Sequence, residues 1–232
     1  KMTVTTLDRL EKSGKRDNYN IEFMTPSGAL FGVPFYNDFI KKRFTEQGVT
    51  RNDGWTLKSI DTSAKKATYS VKGGADQTKS YDFIHVVPPM DSGAAMRNSS
   101  LAFKAGEAFP GWMKVNRETL QSTEFSNVWG IGDVMGMPSN KTAASVKMQA
   151  RVLEENFLAS LQGKELTAKH NGYTSCPMIT AIGKAMLVEF GWDSKLLPSF
   201  SFIDPKKESW AVWVMKERML RPAYYAMLEG KI

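Results

Sequence analysis

Between residues 19 and 52 the chain writes out a strand, a helix and a second strand, and that order constrains the fold more than anything else in it. Residues 19–24 (YNIEFM) alternate apolar and polar side chains and stop short of Pro26, the pattern of a short strand. Phe35, Phe39, Ile40 and Phe44 recur at helical spacing across residues 35–47, and Gly48 ends the run. Residues 49–52 form the next short strand. Further strands are expected at residues 55–60, 66–71 and 81–87, with Gly73-Gly74 turning the chain between the last two. Strand, helix, strand and then antiparallel strands predict an α/β fold with a meander appended. Val87-Pro88-Pro89-Met90 closes this part, because two consecutive prolines cannot continue a central strand.

The rest of the chain is less regular. Residues 91–111 read as an irregular connection, and 127–133 (NVWGIGD) as a short apolar strand ending in glycines and an acid. The longest helical pattern covers 142–161 and is ended by Gly163. Residues 174–180 and 184–190 are expected to pair as a hairpin around 181–183. From Lys206 the sequence is helical and rich in Trp, Met and Tyr, with Pro222 expected to break it into two short helices. The opening residues carry no signal-peptide core and read as the tail of a helix ending near Gly14, as if cut from something longer.

Composition excludes several functions. The net charge is +7, yet Lys and Arg are spread along the chain, which suits a solvated surface or attraction to anionic lipid rather than a nucleic-acid groove. No apolar stretch reaches the roughly 18 residues of a membrane-spanning helix. His85 and His170 have no acid or cysteine at ligand spacing and are read as structural or solvent-exposed, so no metal site is expected. Cys176 is the single cysteine, so it closes no disulfide within the chain. Two readings of it stay open: a small buried hydrophobe, or a redox sulfur.

Two stretches carry candidate chemistry. Val128 to Asp133 places a carboxylate after an apolar run and just before a long helix, so the helix start offers free N–H groups and a positive dipole end. Such a site suits an extended polar cofactor; a tight turn in which Asp133 caps the helix is the alternative. The stretch from Lys206 to Leu228 sets Trp210, Trp213, Met215, Met219, Leu220, Tyr224, Tyr225 and Leu228 among Lys206, Lys207, Lys216, Arg218 and Arg221. That composition fits a helix pair in a membrane interface, and packing against a sheet is the other reading.

Taken together, GIGD (130–133), SNKTAA (139–144) and GYTSCP (172–177) resemble the C-terminal half of sulfide:quinone oxidoreductases, flavoproteins of the two-dinucleotide-binding-domain superfamily. Lys12-Ser13-Gly14-Lys15-Arg16, Phe31-Gly32-Val33 and His85 to Met90 resemble the eukaryote-like branch of that family. The resemblance implies partial Rossmann-like units of the FAD/NAD-binding type, a meander, a C-terminal hairpin and amphipathic helices. Residues 1–90 would be the second half of an NADH-binding-like domain, 91–163 the C-terminal part of an FAD-binding domain, and 164–232 the hairpin and membrane-interface helices.

The same resemblance implies the chemistry. FAD would be contacted by Gly132, Asp133, Lys141, Thr142, Ala143 and Ala144. Cys176 matches the second of two cysteines that oxidise sulfide through a persulfide and pass two electrons by way of the flavin to a quinone, with Lys141 or Lys216 supplying a positive field. Pro177 would keep a regular strand from burying the thiol. The expected setting is peripheral, on a bacterial cytoplasmic or mitochondrial inner membrane. The chain departs from the family in two ways: the first cysteine would lie upstream of Lys1, and Gly28 to Gly32 (GALFG) lacks the spacing of a pyrophosphate-binding loop. A fragment inactive by itself is therefore expected. A related NADH:quinone or flavocytochrome-type dehydrogenase, for which a thiol in GYTSCP has no use in the NADH case, and a non-catalytic membrane- or partner-binding module are the alternatives.

Overall fold

A computed structural model describes residues 1–138 and 141–231. The chain divides into two compact units, Met2–Pro88 and Pro89 to the end, with Lys1 grouping with the second.

In the first unit, helix α1 (Met2–Lys12) buries Val4 and Leu7, one turn apart. Strands β1 (Ile21–Thr25) and β2 (Val49–Asp53) pair in parallel, Ile21 opposite Val49, and α2 (Pro34–Glu46) makes the crossover that parallel strands require. Proline at the first helical position suits the start of α2. Gly48, in the left-handed region at φ 63°, turns the chain out of it. The core is Val4, Leu7, Phe44 and Val49, with Ile21, Phe23, Leu30 and Ile40 packed against it. The phenyl rings of Phe23 and Phe44 meet edge to face at 5.3 Å.

The meander follows as β3 (Trp55–Asp61), β4 (Lys66–Val71) and β5 (Gln77–Ser80) in that spatial order. Its last strand is not at residues 81–87. β4 begins at Lys66, which already pairs with Ser80, and the bond from Tyr81 N–H to the Lys65 carbonyl is the last rung. The β-prone run after it has no register left to join, and Phe83 and Val87 are each 79% exposed.

The second unit is dominated by α4 (Ala143–Leu161) and the loops around it. A short helix α3 (Ala94–Arg97) interrupts the connection expected to be irregular. Residues 127–133 do not form a strand. Ile131 is extended, but Trp129 makes only an isolated bridge to Gln121, Gly130 N–H bonds the Leu120 carbonyl, and Gly132 N–H goes to a side chain. With its donors sent in different directions the segment has no ladder. Leu120, Met135 and Met137 form the core there, with Val152, Leu153 and Trp192 against it.

The expected hairpin is present but broken. β6 (Thr174–Ser175) pairs with β9 (Glu189–Phe190), and β7 (Met178–Ala181) with β8 (Lys184–Met186), all antiparallel. Cys176 and Pro177 fall in the gap, where Cys176 N–H bonds the Val188 carbonyl.

The tail is one run, not two helices broken at Pro222. α5 (Trp210–Val214) passes through a π turn at Met215–Met219 into α6 (Leu220–Leu228), with Leu220 N–H bonded to the Met215 carbonyl. A proline clashes with the carbonyl four residues before it, here Arg218, and the wider π turn lies over that position and makes room. Val212 is fully buried and Trp213 and Met215 pack with it on Ala185 and Leu187. α6 leaves Leu220, Tyr224, Tyr225 and Leu228 exposed.

His85 is exposed and His170 is buried. His170 packs edge to face on Trp192, and its Nε2 has no hydrogen-bond partner among the described residues. Burial pushes its pKa below the ordinary histidine value. The unfolded chain therefore takes up this proton first. Stability is complete above about pH 6.5 and falls as pH drops toward the folded value, by at most about 1.4 kcal/mol per pH unit. Urea melts between pH 7.5 and 5.5 should show the loss, and His170→Phe should flatten it; an unchanged slope in that variant would assign the acid sensitivity elsewhere.

Candidate active site

The candidate residues converge on the first turn of α4. Thr142 caps the helix, its hydroxyl accepting from Ser145 N–H. With Ser145 and Val146 N–H both held by Thr142, helix geometry leaves the N–H groups of Ala143 and Ala144 without an intrahelical acceptor. Ala143 is exposed. Gly132 approaches this turn closely: it sits at φ 72°, and a Cβ there would come 3.3 Å from Val146 Cγ2. Gln149, fully buried on α4, accepts from Gly132 N–H at 2.8 Å. The carboxylate of Asp133, next in the chain, faces solvent.

Lys141 turns back on this loop. Its ammonium donates to the carbonyls of Asp133 and Met135 and lies 3.5 Å from the centre of the Trp112 ring. Burial holds its pKa below the usual lysine range, with Asp133 pulling it back up. Its charge thus braces the 133–135 turn. Ser139 and Asn140 of the SNKTAA stretch lie outside the described residues.

The same helix start holds the Cys176 segment. Ser145 Oγ donates to the Tyr173 carbonyl at 2.9 Å and lies 3.2 Å from Thr174 Oγ1. Two residues on, Cys176 is partly exposed, and Lys1 Nζ donates to its Sγ at 3.5 Å. Lys216, on the π turn, belongs to the same group: burial, then Lys1, lowers its pKa, and Cys176 raises it. The sequence pattern pointed to Cys176 and Lys216, whereas nothing in it pointed to Lys1. Ser145 and Gln149 were legible in principle, as polar residues four apart inside an apolar helix.

These residues fit part of a flavin. Asp133 offers an acceptor for a sugar-chain hydroxyl and the α4 start offers donors to a partly anionic ring, while the missing Cβ of Gly132 lets the 132–134 turn pack close to Val146 of that helix. Nothing in the sequence supplies the glycine-rich donors that a pyrophosphate needs.

No family model matches the chain. Comparison with curated proteins is more informative. The chain is 35% identical over 225 residues to the mitochondrial sulfide:quinone oxidoreductase of Dictyostelium discoideum, covering 97% of itself and 48% of that protein. It is 33% identical over 219 residues to the mouse protein of the same name, covering 94% and 47%. The chain is homologous to the sulfide:quinone oxidoreductases. It spans about half the length of the curated relatives it matches. The sulfide:quinone oxidoreductase of Aquifex aeolicus shares the fold of this homologue at a TM-score of 0.77 and 16% identity, over 99% of this chain and 55% of that one. So does a chain in the mitochondrial ATP synthase structure of Tetrahymena thermophila, at a TM-score of 0.84 and 17% identity, over 99% and 55%. The α/β class with partial Rossmann-like units is thereby established, and a shared fold does not by itself assign a chemistry.

Proposed function

We propose that the chain carries the sulfur-handling and quinone-side part of an FAD-dependent sulfide:quinone oxidoreductase acting at the mitochondrial inner membrane. The observation that carries this is the placement of a partly exposed Cys176 thiol against the Lys1 ammonium, with Lys216 beside it. Two cations beside a sulfur attract hydrosulfide, itself an anion. Hydrosulfide attacks a disulfide between Cys176 and a second cysteine, leaving a persulfide on one sulfur and a thiolate on the other. The second cysteine is assigned to the half of the relatives that this chain does not span. A bound flavin would supply the two-electron sink between this thiolate and quinone. In this reading Asp133 holds the sugar chain, the N–H groups of Ala143 and Ala144 face the ring, and Lys141 and Thr142 keep the turn and the helix start in place.

In the full-length protein, anaerobic sulfide should bleach the flavin and a soluble quinone should restore its colour. Bleaching by NADH but not by sulfide would favour the related NADH:quinone dehydrogenase. A full-length protein that takes up no flavin would favour a non-catalytic subunit, the reading suggested by the same fold in an ATP synthase structure.

Within this proposal α6 lies on the membrane. No helix among the described residues is long and apolar enough to cross one. On α6, Tyr225 is 51% and Leu228 63% exposed, and Arg218 and Arg221 at its start are exposed too. Binding to vesicles should therefore strengthen with anionic lipid, by about 1 kcal/mol per basic residue at the surface, and weaken with salt. Deleting residues after Met219 should abolish it while leaving the melting temperature close to that of the parent. Deletion before Ser209 should destabilise as well, because Val212, Trp213 and Met215 pack on the hairpin. Equal vesicle binding by the shorter chain would remove α6 from the membrane.

A further inference from the structure

Glu189 is a buried carboxylate, 3% exposed, one position along from the residue that bonds the Cys176 backbone. Among the described residues none of its partners is a cation. Tyr173 Oη and Ser199 Oγ both donate to Oε1, at 2.5 and 2.7 Å, and Ser199 N–H donates to Oε2 at 2.8 Å. Taking a carboxylate out of water without a counter-ion is costly, and three charge-assisted hydrogen bonds are what offset that cost. Burial, and then the bond to Glu189, pushes the Tyr173 phenol up, so it stays protonated and donates. The three residues come from β6's approach, from β9 and from the segment after it, and they enclose the strand pair that leads into Cys176.

Pairing makes the link to the thiol direct. Ser175 lies opposite Glu189, and Cys176 N–H bonds the Val188 carbonyl next to it. Ser175 and Glu189 point to one face of the pair, and Thr174 to the other. There Ser145 holds the Tyr173 carbonyl and approaches the Thr174 hydroxyl. The segment is therefore fixed from both sides immediately before the chain enters the Cys176-Pro177 gap. We propose that Glu189, through Tyr173 and Ser199, is a positioning residue that holds the Cys176 sulfur against the lysine ammonium groups. This rests on the reading of Cys176 as the reactive sulfur in a positive field.

Because Cys176 is the only thiol, the field at it is measurable in the chain itself. The test compares its alkylation by anionic iodoacetate and by neutral iodoacetamide, since the ratio of the two rates reports local charge. Among the described residues, the charged groups that bear on the sulfur are the Lys1 and Lys216 side chains, with Glu189 on the paired strand. Lys216→Met sets the scale and should lower the ratio by about threefold, the effect of one nearby charge in a partly hydrated site. Tyr173→Phe and Ser199→Ala, which change no charge, should lower it by a similar factor. Glu189→Gln should lower it too, although deleting a negative charge would by itself raise it. Asn156→Ala, buried at the far end of α4 and bonded to Thr119 and Ala168, should lose stability and leave the ratio unchanged.

A parent-like ratio in Tyr173→Phe and Ser199→Ala, with Lys216→Met lowered, overturns the positioning role and leaves the reactive-sulfur reading standing. A rise in Glu189→Gln overturns it as well, making the carboxylate a nearby charge only. A parent whose ratio equals that of free cysteine and does not respond to Lys216→Met overturns both.

Discussion

Replacing Cys176 with serine in the full-length protein is expected to abolish sulfide-dependent quinone reduction, by roughly a hundredfold or more, the scale on which losing a nucleophile acts. Flavin content and melting temperature should be those of the parent. The reason is local: the thiol occupies a gap in the hairpin and is partly exposed, so serine fills its place without opening a cavity in a core. The residues expected to touch flavin lie on the 132–134 turn and the α4 start and do not depend on the sulfur. Turnover above about a tenth of the parent rate would show that the sulfur is not in the reaction path. A variant that also melted early would return Cys176 to a packing role.

The largest loss of stability is expected from Gly172→Ala, at the other end of the GYTSCP stretch. Gly172 is left-handed, φ 79°, and a Cβ on it would lie 2.3 Å from Trp192 Cδ2. The backbone conformation alone costs about 1 kcal/mol for an L-residue. Trp192 cannot simply swing away, because it packs on His170, lies under Arg117 and donates to the His170 carbonyl. Together these should cost about 3 kcal/mol, enough to lower the melting temperature by about 10 °C. Gly163→Ala is the control. It is also left-handed, at φ 64°, but nothing lies within 4 Å of its would-be Cβ, so only the conformational part should appear. Equal losses in the two variants would mean that Trp192 gives way freely.

What the sequence made legible was whatever depends on neighbours along the chain. The periodic Phe and Ile residues of α2 and the Gly48 and Gly163 stops are local signals, and the structure has each of them. Residues 81–87 and 127–133 failed for a common reason. Each is β-prone, but a strand exists only where another offers a register, and neither segment has one. Pro222 signals a break because proline forbids an α-helical bond, while a π turn permits the helix to continue. At the site, GIGD and the helix start were visible as a motif. The Tyr173, Glu189 and Ser199 cluster was not, since its members have no periodic relation and meet only through the β6–β9 pairing.

Helix α4 turns a side to the protein that is polar as well as apolar. Ser145, Gln149 and Asn156 are wholly buried there, each bonded to the backbone of a different loop. A helix seated by apolar contacts alone can slide or roll slightly at small cost, since dispersion is non-directional. This one cannot, because a slip of one residue would rotate every side chain by about 100° and orphan donors and acceptors in three loops at once. The helix therefore acts as a keyed shaft. Its exposed face is free to drift in sequence, while on its inner face leucine is no substitute for glutamine, however similar the volume.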